Sequence, residues 1–290
     1  MLNKIRRRPR VLLALLAALS FGALLQFTDT NPAVSQTLAL TAYEAPDDPG
    51  LDPQSAVWDK VNSIRVPLTA QAGTYAAGGS IATIRAQAVH HGGKVFIRLT
   101  WADGTLDDAT TKVEDFADGV AVEFPASGTS KIPSLCMGQA DAAVNIWHWR
   151  ADSNAGFQDP NVAYGGSLVD FYPDTSPLFY TAREAGNPYA NPELGPVQSL
   201  TSKAFGELAA LAIQDVSGKG SYTADGWQVV IARNFSTGNP STVTFSPNAK
   251  MDMAFAVWDG SKEERNGRKA VSQFVTLSVA SSPAYLKPES

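Results

Sequence analysis

The chain has 290 residues, 44% of them hydrophobic, with 23 basic and 28 acidic side chains, a formal net charge of −5 and one cysteine. Such a body repels phosphate backbones and carries no basic stripe, which excludes nucleic-acid binding. One cysteine makes no internal disulfide. Without C-x-x-C-H, C-x-x-C or H-E-x-x-H there is no covalent haem attachment, no paired-cysteine metal site and no metalloprotease helix.

Met1 to Arg10 holds five basic residues and Val11 to Leu25 is an apolar run of signal-peptide length. This predicts export to the periplasm, with cleavage after Ala33-Val34-Ser35. The competing reading is a retained anchor. A membrane-spanning helix needs about 20 apolar residues, and Gln26, Asp29 and Asn31 interrupt this run. Arg6-Arg7 lacks the continuation of a twin-arginine signal, so the export route stays open. Cleavage removes five basic residues from the 23 and one acidic residue from the 28, leaving 18 and 27, a net charge of −9. Residues 1–35 are expected as the signal peptide and residues 36–290 as a single domain, since no repeat or linker composition divides them.

After an Asp- and Pro-rich loop, Glu44 to Pro53, short segments of period-two alternation recur between Gly, Asp, Asn and Pro. They are Ile64-Val66-Leu68, Ile81 to Val89, Lys94 to Trp101, Gly119 to Phe124, Val144 to Trp149, Trp227 to Arg233, Met251 to Trp258 and Val271 to Val279. In Lys94 to Trp101, Val95, Ile97, Leu99 and Trp101 share a face; in Gly119 to Phe124, Val120, Val122 and Phe124 do. The expected fold is mainly β, an antiparallel β-sandwich with few short helices and long loops. Val197 to Ala212 alone has a helical period, weakened by Gly206, and predicts a short helix at most. Ala151 to Pro196 is long, irregular and rich in Gly, Pro, Tyr and Phe, a loop that either covers a site, meets a partner or makes surface excursions.

Met137 follows Cys136 and precedes Gly138, in a loop between expected strands from which a thioether can point inward. On residue type alone, methionine is core filler. His148 shares a face with Val144 and Ile146 and carries the commonest haem donor, so it can line a pocket, meet a propionate or ligate axially. Trp147 and Trp149 share the other face, as sandwich core does. His90 and His91 point to opposite faces before Gly92-Gly93, a hairpin context and a poor metal site. Asp103, Asp107, Asp108, Asp115 and Asp118 cluster without EF-hand spacing and read as solvated turn carboxylates. No G-x-S-x-G, Walker A or strand-borne G-x-G-x-x-G appears.

Met137-Gly138 ahead of Asn145-Ile146-Trp147-His148-Trp149 resembles the haem b (gamma) subunit of the type II DMSO reductase family of molybdenum enzymes, which includes those acting on ethylbenzene, chlorate and dimethylsulfide. The resemblance extends to Val66-Pro67-Leu68, Arg98 to Trp101 with Asp103, Asp115-Phe116-Ala117-Asp118 leading into Val120 to Pro125, and Gln214-Asp215-Val216 through Trp227 to Arg233. It implies one non-covalent haem b ligated by a methionine and a lysine. Met137 matches the methionine, and Lys219 in Gly218-Lys219-Gly220 best matches the lysine, with Lys203 as competitor. The unfavoured reading of Lys219 is a solvated turn residue. An ammonium has no lone pair, so such a ligand must first lose a proton, which burial and the ferric charge assist. The resemblance further implies a non-catalytic, periplasmic electron-transfer subunit partnered by a molybdopterin-bearing alpha subunit and an iron–sulfur beta subunit, exchanging electrons with a soluble or quinone-linked carrier. The alternatives are a carbohydrate-binding β-sandwich module and a haem-free structural subunit.

Overall fold

The structure is a computed structural model that describes residues 38–71, 78–110, 113–129, 131–135, 137–155, 185, 187 and 194–281. The expected signal segment, Cys136 and most of the long loop before Pro196 lie outside the described residues. No helix among the described residues is long and apolar enough to cross a membrane.

Fourteen strands form one continuous hydrogen-bonded system. They are β1 (Ala39–Glu44), β2 (Ile64–Pro67), β3 (Thr69–Ala70), β4 (Thr83–His91), β5 (Lys94–Trp101), β6 (Gly119–Pro125), β7 (Val144–Arg150), β8 (Val197–Ser202), β9 (Ala209–Ala210), β10 (Ser217–Thr223), β11 (Gly226–Asn234), β12 (Lys250–Trp258), β13 (Ala270–Val271) and β14 (Val275–Val279). Along the sheet the order is β10-β11-β5-β4-β1-β14-β12-β6-β7-β8-β9. β12 belongs to both layers of the sandwich. Its first half, Lys250 to Met253, pairs with β14, and its second half, Ala254 to Trp258, pairs with β6. The layers meet through their indoles: Trp149 of β7 packs edge-on against Trp101 of β5 and Trp227 of β11, with centroids 6.3 and 4.9 Å apart. Each buried indole removes about 200 Å² from water, worth roughly 5 kcal/mol before the entropy of ordering is charged against it.

The expected alternation is realised. Val95, Ile97, Leu99 and Trp101 enter the central core together with Val120, Val122, Phe124, Trp147 and Trp149. β4 and β5 are joined by Gly92 and Gly93 at φ 56° and 76°, the positive pair that a tight two-residue hairpin needs. The flanking histidines are structural: His90 Nε2 donates to the Ala280 carbonyl at 2.5 Å, and His91 Nδ1 lies 2.8 Å from the Ala45 carbonyl.

Two features depart from the expected pattern. β1 pairs in parallel with both β4 and β14, in an otherwise antiparallel system. Val197 to Ser202, expected within a short helix, is strand β8, with Trp149, Trp147 and Asn145 opposite Val197, Ser199 and Thr201. The β7 partnership satisfies its backbone and buries Val197 and Leu200 on opposite sides, so tertiary pairing overrides the helical period.

Gly220 of β10 lies against the Trp149 indole, where an added Cβ would fall 2.2 Å from a ring carbon. Asn154, in the helical turn α1 (Ala151–Asn154), bonds both the N–H and the carbonyl of Gly220 at 2.7 and 3.1 Å, so the strand cannot retreat without breaking that pair. Gly220→Ala should therefore destabilise the protein by about 1–3 kcal/mol, the usual cost of overpacking. Urea denaturation measures it; a loss below about 0.5 kcal/mol would show that β10 moves freely off Trp149.

Candidate functional site

β6 and β7 bury both of their faces. The face turned from the core carries Gly119, Ala121 and Glu123 on β6 and Val144, Ile146 and His148 on β7. Leu200 of β8 and Ala254, Ala256 and Trp258 of β12 continue that face, and Ala121, Val144, Ile146, Leu200 and Trp258 form a separate apolar cluster. Above it opens a cleft of about 560 Å³, walled by the segments around Phe116, Met137, Phe205 and Arg265. Small alanines at 121, 254 and 256 make the floor flat, because no long side chain rises from them. A cleft of this volume with a largely apolar floor and polar groups on its walls has the character of a cofactor or small-ligand site.

Met137 lines the cleft, as does His148. The methionine loop is tied to the β8 end of the floor: Ser202 Oγ donates to the Met137 carbonyl at 2.8 Å, and Gly138, at φ 64°, backs onto the carbonyls of Ala142 and Ser202. A Cβ at 138 would lie 2.7 Å from the Ala142 oxygen, so the Met-Gly pair is a steric requirement of this turn.

The structure does not bring Lys219 to the cleft. Lys219 is exposed on β10 and lies opposite Val230, whose side chain belongs to the outer cluster of the other layer. Paired residues share a face, so Lys219 projects from the far side of the sandwich. Its flanking glycines serve packing against Val197 and Trp149. Lys203 is exposed in the turn after β8, beside the Phe205 wall but not among the cleft-lining residues.

A third lysine does line the cleft. Lys269 directly precedes β13, is only 8% exposed, and holds its Nζ 5.1 Å from the centre of the Trp258 ring. β13 pairs with β12, so Lys269 approaches the floor from the β12 side while the Met137 loop approaches from the β8 side. The sequence hides it inside Lys262-Glu263-Glu264-Arg265-Asn266-Gly267-Arg268-Lys269, a run that reads as a solvated turn. The available signal was that Lys269 alone of the run abuts the apolar pair Ala270-Val271. Thioether, imidazole and amine donors thus line one apolar-floored space, a donor set that fits a haem iron. Arg150 and Arg265 line the same cleft, and Arg265 stacks on Phe116 at 4.4 Å.

The chain matches the family model described as ethylbenzene dehydrogenase over residues 55–270. It is 29% identical over 274 residues to the chlorate reductase subunit gamma of Ideonella dechloratans, covering 93% of this chain and 95% of that one. Identity is 28% over 230 residues with the Haloferax mediterranei protein ORF7, assigned as a respiratory nitrate reductase heme subunit, covering 79% and 68% of the two chains. Among solved structures, a family 9 carbohydrate-binding module from Caldicellulosiruptor kristjanssonii in complex with glucose superposes with a TM-score of 0.43 at 12% identity, covering 86% of this chain and 98% of that one. A superposition of that quality bears on neither cofactor nor ligand.

Burial, with the positive charges of Arg150 and Lys269 adding to it, pushes the His148 imidazole down from 6.5 to about 3. A depressed histidine leaves the native ring neutral while the unfolded ring takes up a proton. Its contribution to stability is therefore present above pH 6.5 and is lost as pH falls towards about 3. His148→Gln should flatten that acid limb of the stability curve, and the wild-type His148 ring resonance should not move between about pH 5 and 8. A His148 resonance titrating near its ordinary value would contradict the assigned burial.

Proposed function

The chain belongs to the ethylbenzene dehydrogenase family, and from that membership we propose that it is an exported, non-catalytic electron-transfer subunit holding one non-covalent haem b in the cleft over β6, β7 and β8. The observation that carries this reading is the convergence of Met137 and Lys269 on one apolar-floored cleft. Bound there, a haem supplies a one-electron ferric/ferrous couple.

The chain's own residues define the environment of that couple. The Met137 thioether, a soft donor, favours the ferrous state and raises the potential. Lys269 would take the role that the family resemblance suggested for Lys219, and its Nζ would have to give up a proton to offer a lone pair. His148, neutral on the floor, is left to contact the cofactor or its propionates, and the guanidinium groups of Arg150 and Arg265 are suited to pair with carboxylates. Ala121, Ala254 and Ala256 leave room for a flat macrocycle and keep water from its face.

In this reading the partners are a molybdopterin-bearing alpha subunit and an iron–sulfur beta subunit, with a soluble or quinone-linked carrier completing the path. Phe205 and Leu208, exposed beside the cleft, supply apolar surface for such a contact. Export rests on the basic and apolar N-terminal segment, residues 1–35.

Protein produced with sufficient haem should give a b-type pyridine haemochrome at one haem per chain, and acid–acetone should extract all of it. Protein that never takes up haem, or haem that stays with the polypeptide, would end this reading; retention on a polysaccharide column without haem would put sugar binding in its place. Lys269→Ala should convert a low-spin ferric EPR signal to high spin, while Lys219→Ala and Lys203→Ala leave it unchanged. Met137→Ala should lower the midpoint potential or release the haem. Loss of the low-spin signal only in the Lys219 or Lys203 variant would reassign the second ligand.

A further inference from the structure

Five aspartates between 103 and 118 read from sequence as solvated turn carboxylates, and for two of them the structure reverses that reading. Asp118, directly before β6, is 0% exposed; Asp103, just past the end of β5, is 8% exposed; Asp259, directly after β12, joins them at 5%. One carboxylate oxygen from each lies within 4.8 Å of the others. Three anions in one buried space repel each other strongly, and burial without compensation costs far more than any surface pairing returns. Among the described residues no lysine or arginine forms an ion pair with any of the three.

Their existing bonds satisfy only part of the carboxylate oxygens. Asp118 accepts three N–H donors, from Gly260 at 2.8 Å, Asp107 at 3.0 Å and the Trp227 indole at 2.8 Å. Asp259 accepts the hydroxyls of Ser80 and Ser261 at 2.9 and 2.7 Å. Asp103 Oδ1 accepts from the Thr105 N–H at 3.1 Å, but its Oδ2 is buried with no hydrogen-bond partner, and so is Asp107 Oδ2. The indole N–H of Trp101 faces Asp103 outside hydrogen-bonding geometry and is itself left without an acceptor. Orphaned, buried carboxylate oxygens beside two further buried carboxylates lack one thing, a positive charge.

We propose that Asp103, Asp118 and Asp259 bind a hard divalent cation of the calcium class at the end of the sandwich where β5 and β12 stop and β6 begins. The donors are all oxygen, which selects against softer metals. Three protein carboxylates gathered at one buried point suit calcium, whereas magnesium keeps several waters and takes one or two carboxylates. Gly260 belongs to the same construction: a Cβ there would fall 2.2 Å from the Phe116 carbonyl and 2.5 Å from Asp107 Cβ, so the β12 turn closes on the acidic loop only as glycine. The cation would pin an end of one layer to two strands of the other, and hold the loop that carries Phe116 against the cleft.

The test uses the full chain, stripped with EDTA and passed through a metal-free column, then titrated separately with calcium and magnesium. Expected are one calcium per chain by equilibrium dialysis and elemental analysis, a rise in melting temperature with calcium, and a smaller or absent rise with magnesium at equal concentration. Asp103→Asn and Asp259→Asn should each weaken calcium binding at least tenfold while the far-ultraviolet circular dichroism stays that of the wild type. If either variant fails to fold, the wild-type stoichiometry and melting curves decide alone. No retained calcium with identical melting in EDTA and calcium overturns the proposal, and so does calcium that binds both variants as tightly as the wild type. Haem content is read on the same samples; because the carboxylates do not line the cleft floor, a haem-free preparation that binds calcium leaves this site standing while ending the electron-transfer reading.

Discussion

A single buried amide fixes the strand on which the cleft depends. Asn145 is fully enclosed, and its Nδ2 donates to the Leu200 carbonyl at 3.0 Å and to Ser199 Oγ at 3.3 Å. Its Oδ1 accepts from the Trp147 indole at 2.9 Å and more distantly from Val243 N–H and the Arg233 guanidinium, each at 3.4 Å. A slip of β7 by one residue would strand those polar groups and exchange the strand's two faces. Trp147 and Trp149 would leave the core, and Ile146 and His148 would leave the cleft. The bonding capacity of one side chain therefore decides which residues a ligand meets. Arg233 shares this polar centre, stacked 5.0 Å from Trp147 and 5.4 Å from Phe245, with desolvation drawing its guanidinium down to about 10.

Period-two alternation made the long central strands legible, because β4, β5, β6, β7, β11 and β12 each separate two chemical environments. It fails where a strand is defined by its partner. β8 carries buried serines at 199 and 202 whose hydroxyls meet the Asn145 amide and the Met137 carbonyl, and no local pattern announces that. The parallel pairs of β1 are likewise invisible, since neither partner follows β1 directly in the chain and one of them, β14, lies far away in sequence. Met137 and His148 could be named from sequence because a motif and a strand face locate them. Lys269 could not, since its burial comes from the close approach of β12 and β13, and its local composition is that of a solvent-exposed turn.

Charges of both signs line the cleft over the β6 and β7 face, where Lys269, Arg150 and Arg265 stand beside Asp115, Glu123 and Glu264. The buried carboxylates stand at the strand ends next door, reached through Phe116 and Gly119, which line the cleft and flank Asp118. Mixed charge thus faces the larger space, while carboxylates alone gather at the strand ends. Glu264 joins the two regions, accepting the N–H groups of Ser80 and Asp259 at 2.8 and 3.1 Å while itself lining the cleft.

The parallel pairing of β1 with β14 has a kinetic meaning. Ala39 is opposite Thr276 and Ala42 opposite Val279, so β1, the link between β4 and β14, gains its second neighbour only when the last described strand is present. Contacts of such sequence separation form slowly, because loop closure must precede any reward from pairing. A nascent chain lacking β14 has β1 and the first half of β12 with open edges, the surfaces most prone to pairing with other chains. Topology therefore keeps the sandwich incomplete until β14 has been made and has docked between β1 and β12.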